Sequence, residues 1–278
     1  MLNGAKVGYY RNYQHSARFR PAHTMPFHYL SHLTSDQRDQ RSDQHLGCTL
    51  AFVAGAVNAG GFLAIGSYTS HMSGIVSSMA DELALGKVMV ALAALGAWLA
   101  FVCGAASTAV LVNWARRRRL VHSQYAVSLM VEAALLLLFG LTGGHLAAMP
   151  DLLTPVTILL LCYIMGLQNA IITKISGAQI RTTHVTGLST DIGIELGKMM
   201  YYNKRALPAL EVHANRAKLK LHSLLIGFFF IGGITGALGF KHVGFSATIV
   251  LALLLATLAV GPIVNDLRLY WRMHRLHE

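Results

Sequence analysis

Aspartate, glutamate, lysine and arginine are missing from long stretches of the chain, and those gaps define its elements. None occurs from Leu46 to Ala80, Val88 to Ala115, Leu152 to Thr173, Leu221 to Phe240 or Val243 to Asn265, and Tyr125–Gly144 holds only Glu132. A helix needs roughly 20 apolar residues to cross about 30 Å of hydrocarbon, so the six blocks predict six transmembrane helices. Soluble domains carry about 25% charged residues; this chain carries 13%, with 54% hydrophobic. The expected fold class is therefore all-α, a polytopic membrane protein. Its transmembrane domain covers residues 46–266, between a basic flexible tail (1–45) and a short basic tail (267–278).

Charge sets the expected orientation. Lysine and arginine collect in the N-terminal tail (Arg11, Arg18, Arg20, Arg38, Arg41), after the second block (Arg116 to Arg119), and after the fourth (Lys174, Arg181, Lys198, Lys204, Arg205, Arg216, Lys218, Lys220). Arg268, Arg272 and Arg275 end the chain, while the alternate connections hold only Lys87, no basic residue, and Lys241. Basic residues remain on the cytoplasmic side, which predicts six crossings with both termini cytoplasmic. The net charge of +11 is thereby explained by membrane orientation, and nucleic acid is not an expected partner; the lipid bilayer is.

The tail contains five histidines at irregular spacing and no apolar stretch of signal-peptide length. Cys48, Cys103 and Cys162 fall in separate blocks and read as small buried hydrophobes. No metal-ligand or cofactor pattern is visible, so no metal and no cofactor is expected. His-Glu-x-x-His and Gly-x-Ser-x-Gly are absent, and Gly193–Lys198 falls short of a phosphate loop. The chain is not expected to be an enzyme.

A signature recurs. Thr69-Ser-His-Met-Ser-Gly74 returns as Thr182-Thr-His-Val-Thr-Gly187. His71, Gly74 and Glu82 recur 113 residues later as His184, Gly187 and Glu195; Asn58-Ala59 and Leu85-Gly86-Lys87 recur 111 residues later. Blocks in one order at nearly constant offset predict a duplicated unit, with repeat one at about 46–144 and repeat two at about 152–265. Three spans per repeat is an odd number, so the copies would lie upside down relative to each other. In transporters built this way the solute site lies at the repeat interface.

Read as helices, the motif segments each carry a polar stripe: His71, Gly74, Ser78 and Glu82, then His184, Gly187, Asp191 and Glu195. Thr69, Ser73 and Ser77 run beside the first, and Thr182, Thr186 and Thr190 beside the second. Such helices either lie on the membrane surface or dip toward its centre to line a cavity. A hydroxyl and glycine at the helix start, Ser73-Gly74 and Thr186-Gly187, would leave backbone N–H groups free for an anion or a carbonyl; the alternative is close helix packing. His71 and His184 are candidate proton-coupling groups or hydrogen-bonded boundary residues. Asn58, Gln168 and Asn169 should bond across helices or line the solute path, and Glu132 should face inward. The expected substrate or coupling pathway is Asn58, Thr69, His71, Ser73, Gly74, Glu82, Glu132, Gln168, Asn169, Thr183, His184, Thr186, Gly187, Asp191 and Glu195. Gly55 with Ala59, Gly96 with Ala100 and Gly104, and Gly232 with Gly236 permit close packing in one bundle or in a homo-oligomer.

Ala51–Gly74 (AFVAGAVNAGGFLAIGSYTSHMSG) and Met165–Gly187 (MGLQNAIITKISGAQIRTTHVTG) resemble the YoaK family of uncharacterised bacterial inner-membrane proteins. The resemblance covers about Leu46 to Asp266 and implies a multi-pass inner-membrane protein with six helices. Family members often place asparagine after the first Ser-Gly; this chain has Ile75. The leading expectation is a small-solute transporter or channel with a polar pathway between inverted repeats. The alternative is a non-transporting scaffold, sensor or assembly factor whose stripes are packing surfaces.

Overall fold

The computed structural model describes residues 40–118, 120, 123–145, 150–201 and 211–275, and every regular element among them is helical. The N-terminal tail up to residue 39, and Lys204 and Arg205 of the basic stretch, lie outside the described residues. In chain order the helices are α1 (Gln40–Ile65), α2 (Met72–Ala84), α3 (Val88–Arg117), α4 (Ala126–Thr142), α5 (Pro150–Ile175), α6 (Val185–Met200), α7 (Arg216–Val243) and α8 (Ala247–Arg275). Helix α1 thus begins within the expected N-terminal tail, and α8 runs on through the expected C-terminal one.

Four stretches are long and apolar enough to cross a membrane: Arg41–Ile65, Val88–Arg117, Leu153–Ile175 and Arg216–Leu269. Two features separate this count from the six expected blocks. Helix α4 has 17 residues, about 25 Å at 1.5 Å per residue, which is short of the hydrocarbon thickness. The fourth stretch, 54 residues long, contains α7 and most of α8; Gly244, with φ 63°, stands between them. The protein is a helical membrane protein.

Helices α1 and α5 are central, with 56% of each apolar window buried against 17% for α3. Leu50, Val53, Leu161, Ile164 and Leu167 lose essentially all exposure there. Met89, Val110, Phe230 and Val250 face outward, as lipid-contacting positions do. Cys48 and Cys162 are buried, but Cys103 is exposed on α3, which corrects the expectation that all three are buried.

The main packing partners are α1 with α7, α3 with α5, and α4 with α8. Glycine sets the closest crossings, because any Cβ there would run into backbone of the facing helix. Gly55 of α1 meets the Phe229 carbonyl of α7, and Gly232 of α7 meets the Phe52 carbonyl of α1. In the other pair, Gly166 of α5 meets the Phe101 carbonyl of α3, and Gly104 of α3 meets the Tyr163 carbonyl of α5. An aromatic residue three positions before each glycine is common to all four helices. At the far end of the bundle, Asp266 of α8 accepts from the backbone N–H (2.9 Å) and hydroxyl (2.6 Å) of Ser123, just before α4.

Helices α1 and α5 end in a similar way. Gly66 (φ 69°) directly follows α1, and Gly177 (φ 57°) and Ala178 (φ 67°) lie two and three residues beyond the last residue of α5, all in the left-handed region that favours glycine. After each turn the chain folds back along the helix it has left. The Asn58 side-chain oxygen accepts from the backbone N–H (3.2 Å) and hydroxyl (2.9 Å) of Ser70. Asn169 accepts from the Thr183 hydroxyl at 2.8 Å. Asn58 lies seven residues before the end of α1, so the return covers about 10 Å.

Candidate functional site

The two returning segments deliver their histidines to the first positions of α2 and α6. His71 (φ −90°, ψ 67°) and His184 (φ −85°, ψ 55°) occupy the N-cap positions in nearly the same conformation, and neither side chain caps its helix. The first intrahelical bonds run from Ile75 N–H to the His71 carbonyl and from Leu188 N–H to the His184 carbonyl, both 3.0 Å. The intervening N–H groups are the unpaired donors of a helix start. Each imidazole folds back over the third residue of its own helix: a Cβ on Gly74 would strike the His71 ring, and one on Gly187 the His184 ring. The glycine of the signature therefore makes room for its histidine, a role distinct from close helix packing, one of the two alternatives expected of it.

Both helix starts open into one cavity of about 770 Å³. From the first segment it is lined by Asn58, Ser70, His71 and Ser73, and from the second by Asn169, Thr183, His184 and Thr186. Phe101 and Phe229 contribute its walls. These two residues stand at the middle of α3 and α7, so the motif helices reach the depth of the bundle centre and are not confined to its rim. Arg181 also lines the cavity, and among the described residues no aspartate or glutamate does.

The remaining expected pathway residues lie elsewhere. Thr69 and Thr182 are fully buried behind the segments, with no hydrogen bond at either hydroxyl. Gln168 is buried and donates to the Leu50 carbonyl at 3.0 Å, tying α5 to α1. Glu132 is buried within α4 and contributes nothing to the cavity wall. Gly74 lines a neighbouring apolar groove.

The carboxylates of the stripes are paired with lysine, Glu82 and Glu195 toward the later turns of α2 and α6 and Asp191 near the middle of α6. Glu82 lies 3.4 Å from Lys87. Glu195 accepts from Lys198 (2.9 Å) and from the Asn215 backbone N–H (2.7 Å). Asp191 accepts from Lys218 (3.0 Å) and lies 3.5 Å from His222. The Lys218 hydrogen bond holds the Asp191 carboxyl below its ordinary range, and those from Lys198 and Asn215 do the same for Glu195. A group whose pKa is lowered by folding stabilises the fold above its unfolded value, and the contribution is lost as pH falls through the folded value. Lys218→Ala should therefore lower the thermal midpoint slightly at pH 7, where an exposed pair is worth little. By circular dichroism, the difference between wild type and variant should shrink as the pH falls below the ordinary aspartate range and through the lowered folded value of Asp191. A constant difference across that range would assign the effect to packing of the lysine stem.

Sequence reading missed Ser70, Phe101, Phe229 and Arg181. Ser70 and Thr183 each precede a motif histidine, and the hydroxyl shared at that position was a usable signal. The aromatic-x-x-glycine pattern marked the two phenylalanines. Arg181 corresponds to Tyr68 in the first copy, so comparison of the copies could not point to it.

A family model described as a protein of unknown function (DUF1275) matches residues 46–261, in agreement with the resemblance drawn from the motifs. No curated protein and no solved structure matches the chain.

Proposed function

We propose a function from the geometry of the site, because the chain belongs to the DUF1275 family, whose description assigns none. The protein is a non-enzymatic small-solute transporter or channel of the inner membrane, and its pathway runs through the central cavity. In this reading α1, α3, α4, α5, α7 and α8 each cross the bilayer with both termini cytoplasmic, and two three-helix repeats are inverted relative to each other. The glycine crossings support the duplication: Phe52 and Gly55 correspond to Tyr163 and Gly166 at an offset of 111, and Phe101 and Gly104 to Phe229 and Gly232 at 128. The α1–α7 contact thus has its counterpart in α5–α3.

One observation carries the reading: equivalent polar residues of both motif segments line a single cavity, beside the apolar walls Met72, Phe101, Val185 and Phe229, at the depth of the helix centres. Polar groups are costly in that position unless they meet partners or water. Arg181 and two helix starts, with no carboxylate, favour an anionic solute over a cationic one. His71 and His184 would gate the path. The Asn58–Ser70 and Asn169–Thr183 bonds suit the rival reading, a static scaffold, because they pin each segment to its own helix.

Single cysteines at Ser73 and Thr186, in a background lacking Cys48, Cys103 and Cys162, separate the two. A solute path predicts that both react with an impermeant thiol reagent applied from the same side. Labelling of Ser73→Cys only from outside and of Thr186→Cys only from inside, or of neither, would sink the transport reading.

A further inference from the structure

Beside the central cavity lies a second space of about 680 Å³, and the two share Tyr68 and His71 in their walls. Its character is different. Phe62, Ile75, Val90, Leu92, Ile158 and Leu159 make it largely apolar. Val90 and Leu92 are themselves exposed on α3, so the groove is continuous with the lipid-facing surface. Tyr68 and His71 are the residues common to both walls. Tyr68 stacks on Phe62 with ring centroids 4.4 Å apart, and the His71 ring lies folded over Gly74. A chamber that holds an arginine and no carboxylate thus adjoins an apolar slot, each within the roughly 300–1,000 Å³ typical of small-molecule sites.

We propose that the two spaces together bind one single-chain amphipathic anion, its head in the central cavity beside Arg181 and its short apolar tail in the groove. The proposal rests on the reading of the cavity as a solute site and adds the class of solute. Charge complementarity chooses the head: the lining offers one permanent positive charge and no negative one. The groove chooses the tail, since apolar surface removed from water is worth about fourfold in affinity per buried methylene. Tyr68 and His71 then contact the junction of head and tail.

The test uses straight-chain carboxylates as probes and the Ser73→Cys protein in lipid nanodiscs. Each probe is scored by how far it slows modification of that cysteine, which reports on the cavity itself. Octanoate should protect at concentrations at least tenfold lower than acetate, with protection rising with chain length. Octanol and octylammonium, which carry the same tail without the negative head, should protect less. Ala93→Phe fills the groove from an exposed position on α3; it should flatten the chain-length dependence and leave protection by acetate intact. Arg181→Gln should weaken both carboxylates.

Equal protection by acetate and octanoate, or a chain-length dependence that survives Ala93→Phe, would overturn the proposal while leaving the cavity as a pathway for small polar solutes. Octanol protecting as well as octanoate would also overturn it and mark the groove as a seat for bilayer lipid. Failure of the cysteine to react at all, with no probe present, would remove the solute pathway and this inference with it.

Discussion

Gly166→Val should abolish or sharply reduce recovery of folded protein, whereas Gly227→Ala should leave it unchanged. At Gly166 the added Cβ would meet the carbonyl, carbonyl carbon and Cα of Phe101. These are backbone atoms in the middle of a 30-residue helix, which cannot turn aside as a side-chain tip can. The substitution must force α3 and α5 apart along their contact, at a cost of about 1–3 kcal/mol or more. The damage does not stop at the crossing, because the Phe101 side chain is also a wall of the central cavity. Gly227 has nothing within 4 Å of its virtual Cβ, so alanine there gains helix propensity, about 1 kcal/mol at most. Thermal unfolding in detergent, followed by size-exclusion chromatography, measures both. If Gly166→Val melts within a few degrees of wild type, the close crossing is not a feature of the folded protein.

That contrast also shows how far the sequence could be read. Blocks free of charge located the helices, because in a bilayer an apolar run must be helical to satisfy its own backbone. The blocks do not say which helices touch. Gly55, Gly166, Gly104 and Gly232 were visible as small residues, but their partners are backbone carbonyls on helices more than 50 residues away in sequence, and no spacing rule encodes that. The recurrence of a motif was legible because His71/His184 and Asn58/Asn169 repeat in order. For Asn58 and Asn169 the choice lay between bonds across helices and lining of a path; each instead bonds the segment that follows its own helix and lines the cavity. The polar stripes were traced correctly along the helices, but they do not form one surface. Histidine and hydroxyl ends face the cavity, while Asp191 near mid-helix and Glu195 a turn beyond it pair with Lys218 and Lys198. A stripe gives direction around a helix axis and leaves depth along it open. The limits of α4 and α8 were blurred for a similar reason: hydropathy averages over a window and does not register Gly244 or the end of a 17-residue helix.

Reversing the charge at Arg181 should reverse the charge preference of the cavity. In the Ser73→Cys and Thr186→Cys proteins, a negatively charged thiol reagent should react faster than a positively charged one of similar size. Arg181→Glu should lower that ratio at least tenfold, and Arg181→Lys should preserve it. The size follows from simple electrostatics. Unit charges about 8 Å apart at an effective dielectric of about 20 interact by roughly 2 kcal/mol; screening by cavity water reduces this, and exchanging arginine for glutamate changes the sign as well as removing the attraction. Ser73 and Thr186 belong to different segments but line the same space as Arg181, so both cysteines should respond, and by comparable factors. A cysteine at exposed Ser77, outside the cavity lining, should hardly respond at all, which separates a field inside the cavity from a change in the net charge of the protein. If the ratio moves at Thr186 alone, Arg181 acts only on its own segment, and the two motif helices do not share one chamber. If it moves at neither position, the cavity draws its preference from the helix starts and histidines, and Arg181 has no part in selecting the solute.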